Sequence, residues 1–181
     1  ATGRKVIVTH PGMMPGIVIA DPELTLGLPP HITAATGMDA LAHCLEAYCS
    51  PFHNPFCDGV ALEGMKLVHD NLTRAVADGS DITARAQMMA AASMGATAFQ
   101  KGLGAIHAMS HPIGALYDTH HGLTNAVVMP YVLMRNRDVI EQKLSQVAAY
   151  LGLSRDPVAG FEAFVDWSLE LRSTFEMPHT L

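Results

Sequence analysis

From Pro30 onward the apolar residues recur with a 3.6-residue period, carried mainly by Ala, Leu and Met. A stretch written this way folds as packed α-helices, because each helix must bury its apolar stripe against another. The pattern predicts helices over 31–36, 38–49, 55–77, 81–100, 103–117, 121–134, 137–151 and 157–174. The stops fit this reading. They are Ser50-Pro51, Asp78-Gly79-Ser80, Gly152, and Asp156-Pro157 with the proline at a first helical position. Pro112 predicts a kink or break within 103–117. No repeat, low-complexity tract or long flexible linker interrupts the series.

The first residues differ. Lys5–His10 and Gly16–Ala20 are β-branched runs separated by Pro11-Gly12-Met13-Met14-Pro15, a turn by composition. Two strands alone are marginal in water, so they are expected to belong to a larger sheet. Both ends look cut, and the chain of 181 residues reads as a fragment of a larger enzyme. Hydrophobic residues make up 49% and charged residues 15%, which excludes a disordered chain. Eleven Lys and Arg against 17 Asp and Glu leave a net charge of −6, a poor match for a nucleic-acid partner. The longest mostly apolar stretch, Met88–Phe99, has 12 residues. A membrane helix needs about 20. No membrane partner and no signal peptide are expected. Three cysteines without a CxxC pair point to a reducing, cytoplasmic setting.

Histidine is the unusual component. There are 10, and four of them (His107, His111, His120 and His121) fall within 15 residues, where an even spread would place fewer than one. In Thr36-Gly-Met-Asp39-Ala-Leu-Ala-His43, the carboxylate and imidazole are one helical turn apart on one face. Taken alone, this is equally a solvated polar face with a capping-box variant at Thr36 and Asp39. Glu46 shares the face and reads as a solvated carboxylate. His107 and His111 repeat the i, i+4 geometry, and His121 opens a new helix. Their neighbours Ile106, Met109, Ile113, Leu116, Val127 and Val128 are apolar, so these rings are expected to be partly buried. Buried polar groups need partners, and one metal ion can serve several at once. A carboxylate with three imidazoles suits Fe(II) or Zn(II) with a position left open for an oxygen ligand. Spacing does not choose the reaction.

The runs Asp21-Pro-Glu-Leu-Thr, Leu28-Pro-Pro, Thr36-Gly-Met-Asp-Ala-Leu-Ala-His43, Gly102-Leu-Gly-Ala-Ile-His-Ala-Met-Ser-His111-Pro and His121-Gly-Leu-Thr-Asn125-Ala resemble the iron-dependent (group III) alcohol dehydrogenase family. The likeness extends from about Lys5 to the end of the chain. It implies a mainly α fold of the dehydroquinate synthase-like type. Residues 1–29 would be the last strands and linker of a truncated Rossmann-like cofactor domain, and 30–181 a C-terminally incomplete helical metal-binding domain. It implies Asp39, His43, His107 and His121 as metal ligands for Fe(2+), with Zn(2+) as an alternative. It places His111 beside the nicotinamide of NAD or NADP and the substrate. The implied reaction is hydride transfer between a primary alcohol and NAD(P), with a small alcohol or aldehyde as substrate. Family members are about twice as long and carry a Gly-rich phosphate loop that this chain lacks. The fragment is therefore expected to be inactive alone, and its apolar helical faces suggest a homo-oligomer.

Smaller features have bland readings beside the sharp ones. His120 reads as structural, and Asn125 as either a support for His121 or a packing residue. Cys44 reads as a small buried hydrophobe. Two other classes of function compete. A helical metal-dependent phosphohydrolase would use His43, His69, Asp70 and Asp118, leaving the later histidines unexplained. A non-catalytic helical interaction module would need no metal.

Overall fold

The computed structural model describes residues 8 and 10–180. Among the described residues seven α-helices carry the fold: α1 (Pro30–Cys49), α2 (Pro55–Ala77), α3 (Ile82–Ala98), α4 (Ala105–Tyr117), α5 (His121–Arg135), α6 (Arg137–Leu151) and α7 (Gly160–Thr174). The mainly α reading therefore holds. Helix α1 is the hub, packing against α2, α3 and α5; α4 lies on α5 and α6 on α7. The core follows from the apolar stripes. Met38, Leu41 and Leu45 of α1 join Met65 and Leu72 of α2, Met129 of α5, Leu144 of α6, and Phe161 and Phe164 of α7. Each such side chain contributes about 1.5–3 kcal/mol by leaving water. Side-chain caps set the starts of α2 and α3. Asn54 accepts the Cys57 N–H at 3.2 Å, and Asp81 accepts the Ala84 N–H at 2.9 Å. Gly152, in the left-handed region at φ 82°, ends α6.

Four details depart from the sequence expectations. The predicted helices 31–36 and 38–49 are one continuous helix. Gly37 does not break it, because it marks a close approach: a Cβ there would lie 2.2 Å from Leu72 Cδ1. Thr36 is consequently mid-helix, its hydroxyl donating back to the Ile32 carbonyl at 2.8 Å, and caps nothing. Helix α4 runs through Pro112 without a break. Pro157 lies in a turn, and α7 begins at Gly160.

The expected strand pair is not seen. Of Lys5–His10, all but Val8 and His10 lie outside the described residues. Gly16–Ala20 is described and forms no strand. Ile17, Val18 and Ile19 are exposed, and no neighbouring strand among the described residues offers the hydrogen bonds that a ladder requires. Two 3₁₀ turns, Pro11–Met13 and Pro22–Thr25, flank this segment. No helix among the described residues is long and apolar enough to cross a membrane.

Candidate metal centre

Three helices bring the singled-out residues to one place. Asp39 and His43 stand one turn apart on α1, with His43 Nε2 3.7 Å from Asp39 Oδ2. His107, in the first turn of α4, places Nε2 3.5 Å from Asp39 Oδ1. His121 opens α5 and places its own Nε2 3.5 Å from the same oxygen. The approach of α5 to α1 is set by Gly122, where a Cβ would lie 2.2 Å from the Ala35 carbonyl oxygen. A larger residue would push His121 away from Asp39. One ligand atom each from Asp39, His43 and His107 lies within 4.8 Å of the others. The His107 ring sits 4.3 Å from His43 and 5.3 Å from His121, centroid to centroid. His111, one turn further along α4, lies beside this group, its ring 5.2 Å from His121 and 6.0 Å from His107.

Two supporting side chains were not legible as such. Glu46, expected to be solvated, is buried at 7% exposure and holds the first turn of α4. It accepts the Ile106 N–H at 2.6 Å and the His107 Nδ1–H at 2.7 Å. The sequence places Asp39, His43 and Glu46 at i, i+4 and i+7 on one helix face, but the burial of that face comes from tertiary packing. The second is Ser110, fully buried, whose hydroxyl lies 3.4 Å from His121 Nδ1. Asn125 is the third neighbour, and it does support the cluster. Its Nδ2 donates to Asp39 Oδ1 at 2.6 Å and lies 3.1 Å from His107 Nε2 and 3.3 Å from His121 Nε2.

The electrostatics follow from this crowding. Burial disfavours charge on both Asp39 and His107, but their mutual attraction outweighs it. Asp39 is held below the usual carboxylate range by His107, His43, Asn125 and His121. His107, between Asp39 and Glu46, is raised to about 9 against the effect of its burial. His43 is lowered, chiefly by burial. Burial pushes the Cys44 and Cys49 thiols up to about 12, in keeping with Cys44 as a small buried hydrophobe.

The donor set fits a divalent cation. A carboxylate oxygen and two imidazole nitrogens gather within 2.6–3.3 Å of one amide nitrogen of Asn125, so the ligand atoms face a common point. His43 Nδ1 and Asn125 Oδ1 are buried with no hydrogen-bond partner among the described residues. Nitrogen and oxygen donors of this kind suit Fe(II) and Zn(II) alike. The phosphohydrolase grouping is not assembled. His69 bonds its neighbour Asp70 at 2.8 Å and stacks on Trp167, while Asp118 is exposed at the end of α4. His120 caps α5 by accepting the Leu123 N–H at 3.4 Å, in keeping with a structural role.

The sequence model of the Fe-containing alcohol dehydrogenase family, C-terminal portion, matches residues 33–181. The chain belongs to this family. A 4-hydroxybutyrate dehydrogenase from Cupriavidus necator is 50% identical over 141 residues, which is 75% of this chain and 37% of the relative. The iron-containing alcohol dehydrogenase of Thermococcus thioreducens superposes with a TM-score of 0.85 at 32% identity, over 94% of this chain and 44% of that one. A sulfoacetaldehyde reductase from Bifidobacterium kashiwanohense, solved in complex with NAD+, gives 0.79 at 32% identity, over 88% and 41%. The chain thus spans about two fifths of the length of these family members.

Proposed function

We propose that this chain supplies the metal-holding part of an NAD(P)-dependent alcohol dehydrogenase that interconverts a primary alcohol and its aldehyde. The observation that carries the reading is the convergence of Asp39, His43, His107 and His121 from three helices. Family membership and an NAD+-bound relative support it. These four residues hold Fe(2+), with Zn(2+) able to take the same donors. When bound, the cation supplies Lewis-acid polarisation of the substrate oxygen, and the nicotinamide gives or takes the hydride. Asp39 contributes the one negative charge among the four ligands. His107 and His121 are steadied from behind by Glu46 and Ser110. His111, half-buried beside His121, orients substrate and nicotinamide and can pass a proton at a ring nitrogen. In this reading residues 30–181 are the helical metal domain, and 1–29 belong with the cofactor domain. The active form is a homo-oligomer working in the cytoplasm on small alcohols and aldehydes.

Elemental analysis of the anaerobically purified protein tests the metal, and an NAD(P)H assay over short aldehydes in the enzyme containing both domains tests the reaction. One divalent ion per chain and aldehyde-dependent NAD(P)H consumption are expected. A metal-free protein, or a metallated enzyme that turns over no aldehyde or alcohol, overturns the proposal.

A further inference from the structure

We infer that Glu46 is a positioning residue for the metal centre, fixing the His107 ring with the proton on Nδ1 and Nε2 turned into the cluster. The inference rests on the metal-centre reading above and deepens it. Helix α4 begins at Ala105 with no capping side chain from Gly104, so its first N–H groups need an acceptor from elsewhere. Glu46 reaches across from α1 and provides it. One oxygen, Oε1, takes the Ile106 N–H at 2.6 Å. The other, Oε2, takes the His107 Nδ1–H at 2.7 Å and lies 3.4 Å from the His107 N–H. Both carboxylate oxygens face backbone N–H donors and so stand as acceptors, and the ring nitrogen facing Oε2 is then the one that carries hydrogen. Nε2 is then the atom left to bind, and it is the one facing Asp39 at 3.5 Å. The arrangement ties backbone and ring together: the same carboxylate places the start of α4 and the ring that grows from it. Its side chain is 5% exposed and that of His107 is 3%, so water does not compete for either contact.

The fold also keeps room for this carboxylate. At Gly104 a Cβ would lie 2.8 Å from Glu46 Oε1 and 3.2 Å from Cδ. Alanine there would push the carboxylate from its seat while leaving it in the chain. Two independent changes therefore address one contact: Glu46→Gln alters its chemistry, and Gly104→Ala alters its place.

The test compares wild type, Glu46→Gln and Gly104→Ala for Zn(2+) affinity by chelator competition and for the d–d absorption of the Co(2+)-loaded protein, with circular dichroism as the check on folding. Both variants are expected to fold, to bind Zn(2+) about 10- to 100-fold more weakly, and to shift the Co(2+) bands. Folded variants with wild-type affinity and unchanged bands would reduce Glu46 to a helix cap and overturn the inference. If Glu46→Gln does not fold, Gly104→Ala decides. If neither folds, ¹⁵N spectra of the Zn(2+)-loaded wild type decide: hydrogen on His107 Nδ1 supports the inference, and a metal-bound Nδ1 overturns it. A wild type that takes up no metal defeats the metal-centre reading, and this inference with it.

Discussion

The histidine cluster has two unlike sides. The inner wall is made by His107, Glu46, Ser110 and Asn125, all 7% exposed or less and joined by hydrogen bonds. The outer rim is made by Asp39, His43 and His121, whose side chains are 23–28% exposed, with His111 half-buried beside them. The inner wall is braced by Glu46 of α1, 61 residues from His107, with Ser110 of α4 and Asn125 of α5, whereas the rim faces outward from one face of α1 and the start of α5. A site that must hold an ion while admitting a substrate needs both properties, and the contrast assigns them to different residues. Rigidity resides where water is excluded, and access where it is not.

Removing a rim ligand should do the most damage. Asp39→Ala takes away the only negative charge among the four candidate ligands, and metal affinity should fall by more than about 100-fold in chelator competition. Retained affinity would remove the rim from the site.

Next comes the wall's response to pH. In the metal-free protein the folded state raises His107 from 6.5 to about 9. A group raised on folding contributes stability that is complete below its unfolded value and lost as pH rises through its folded one. Urea unfolding of the metal-free protein should therefore show stability falling between about pH 6.5 and 9, by up to about 3 kcal/mol. Metal affinity should rise over the same window, since a cation and a proton compete for His107. A flat stability profile would mean that the two carboxylates do not grip the ring.

Asn125→Ala tests the link between wall and rim, because its amide joins Asp39 to His107. It should cost the metal-free protein about 1–3 kcal/mol in urea unfolding. The smallest effect belongs to His120, beside a candidate ligand yet serving only as a cap. His120→Ala should cost about 0.5 kcal/mol and leave metal content unchanged by elemental analysis.

The rim was more legible in the sequence than the wall. All three rim ligands, Asp39, His43 and His121, stand out, with only His107 from the wall, because clustered histidines are uncommon and helical spacing puts Asp39 with His43, and His107 with His111, on one face. Glu46 does not, because its partners Ile106 and His107 are 60 and 61 residues away, and only tertiary packing decides whether a helical carboxylate is solvated or buried. Asn125 is legible as a support for His121, one turn away, but its bond to Asp39 is not, and Ser110 carries no spacing signal of its own. Among the elements, six helices could be placed within a few residues from apolar periodicity and stop residues. The single helix α1 could not, since Gly37 looks like a breaker until Leu72 is seen packed against it. The β-branched run at Gly16–Ala20 carries strand propensity, but a strand exists only in a ladder, and the described residues supply none.

The central claim is that one divalent cation sits between wall and rim. Anomalous diffraction from crystals of the metal-loaded protein at the iron or zinc edge tests it directly. A single strong peak bonded by Asp39, His43, His107 and His121 is the predicted result; a peak elsewhere, or none in a protein carrying stoichiometric metal, would contradict it.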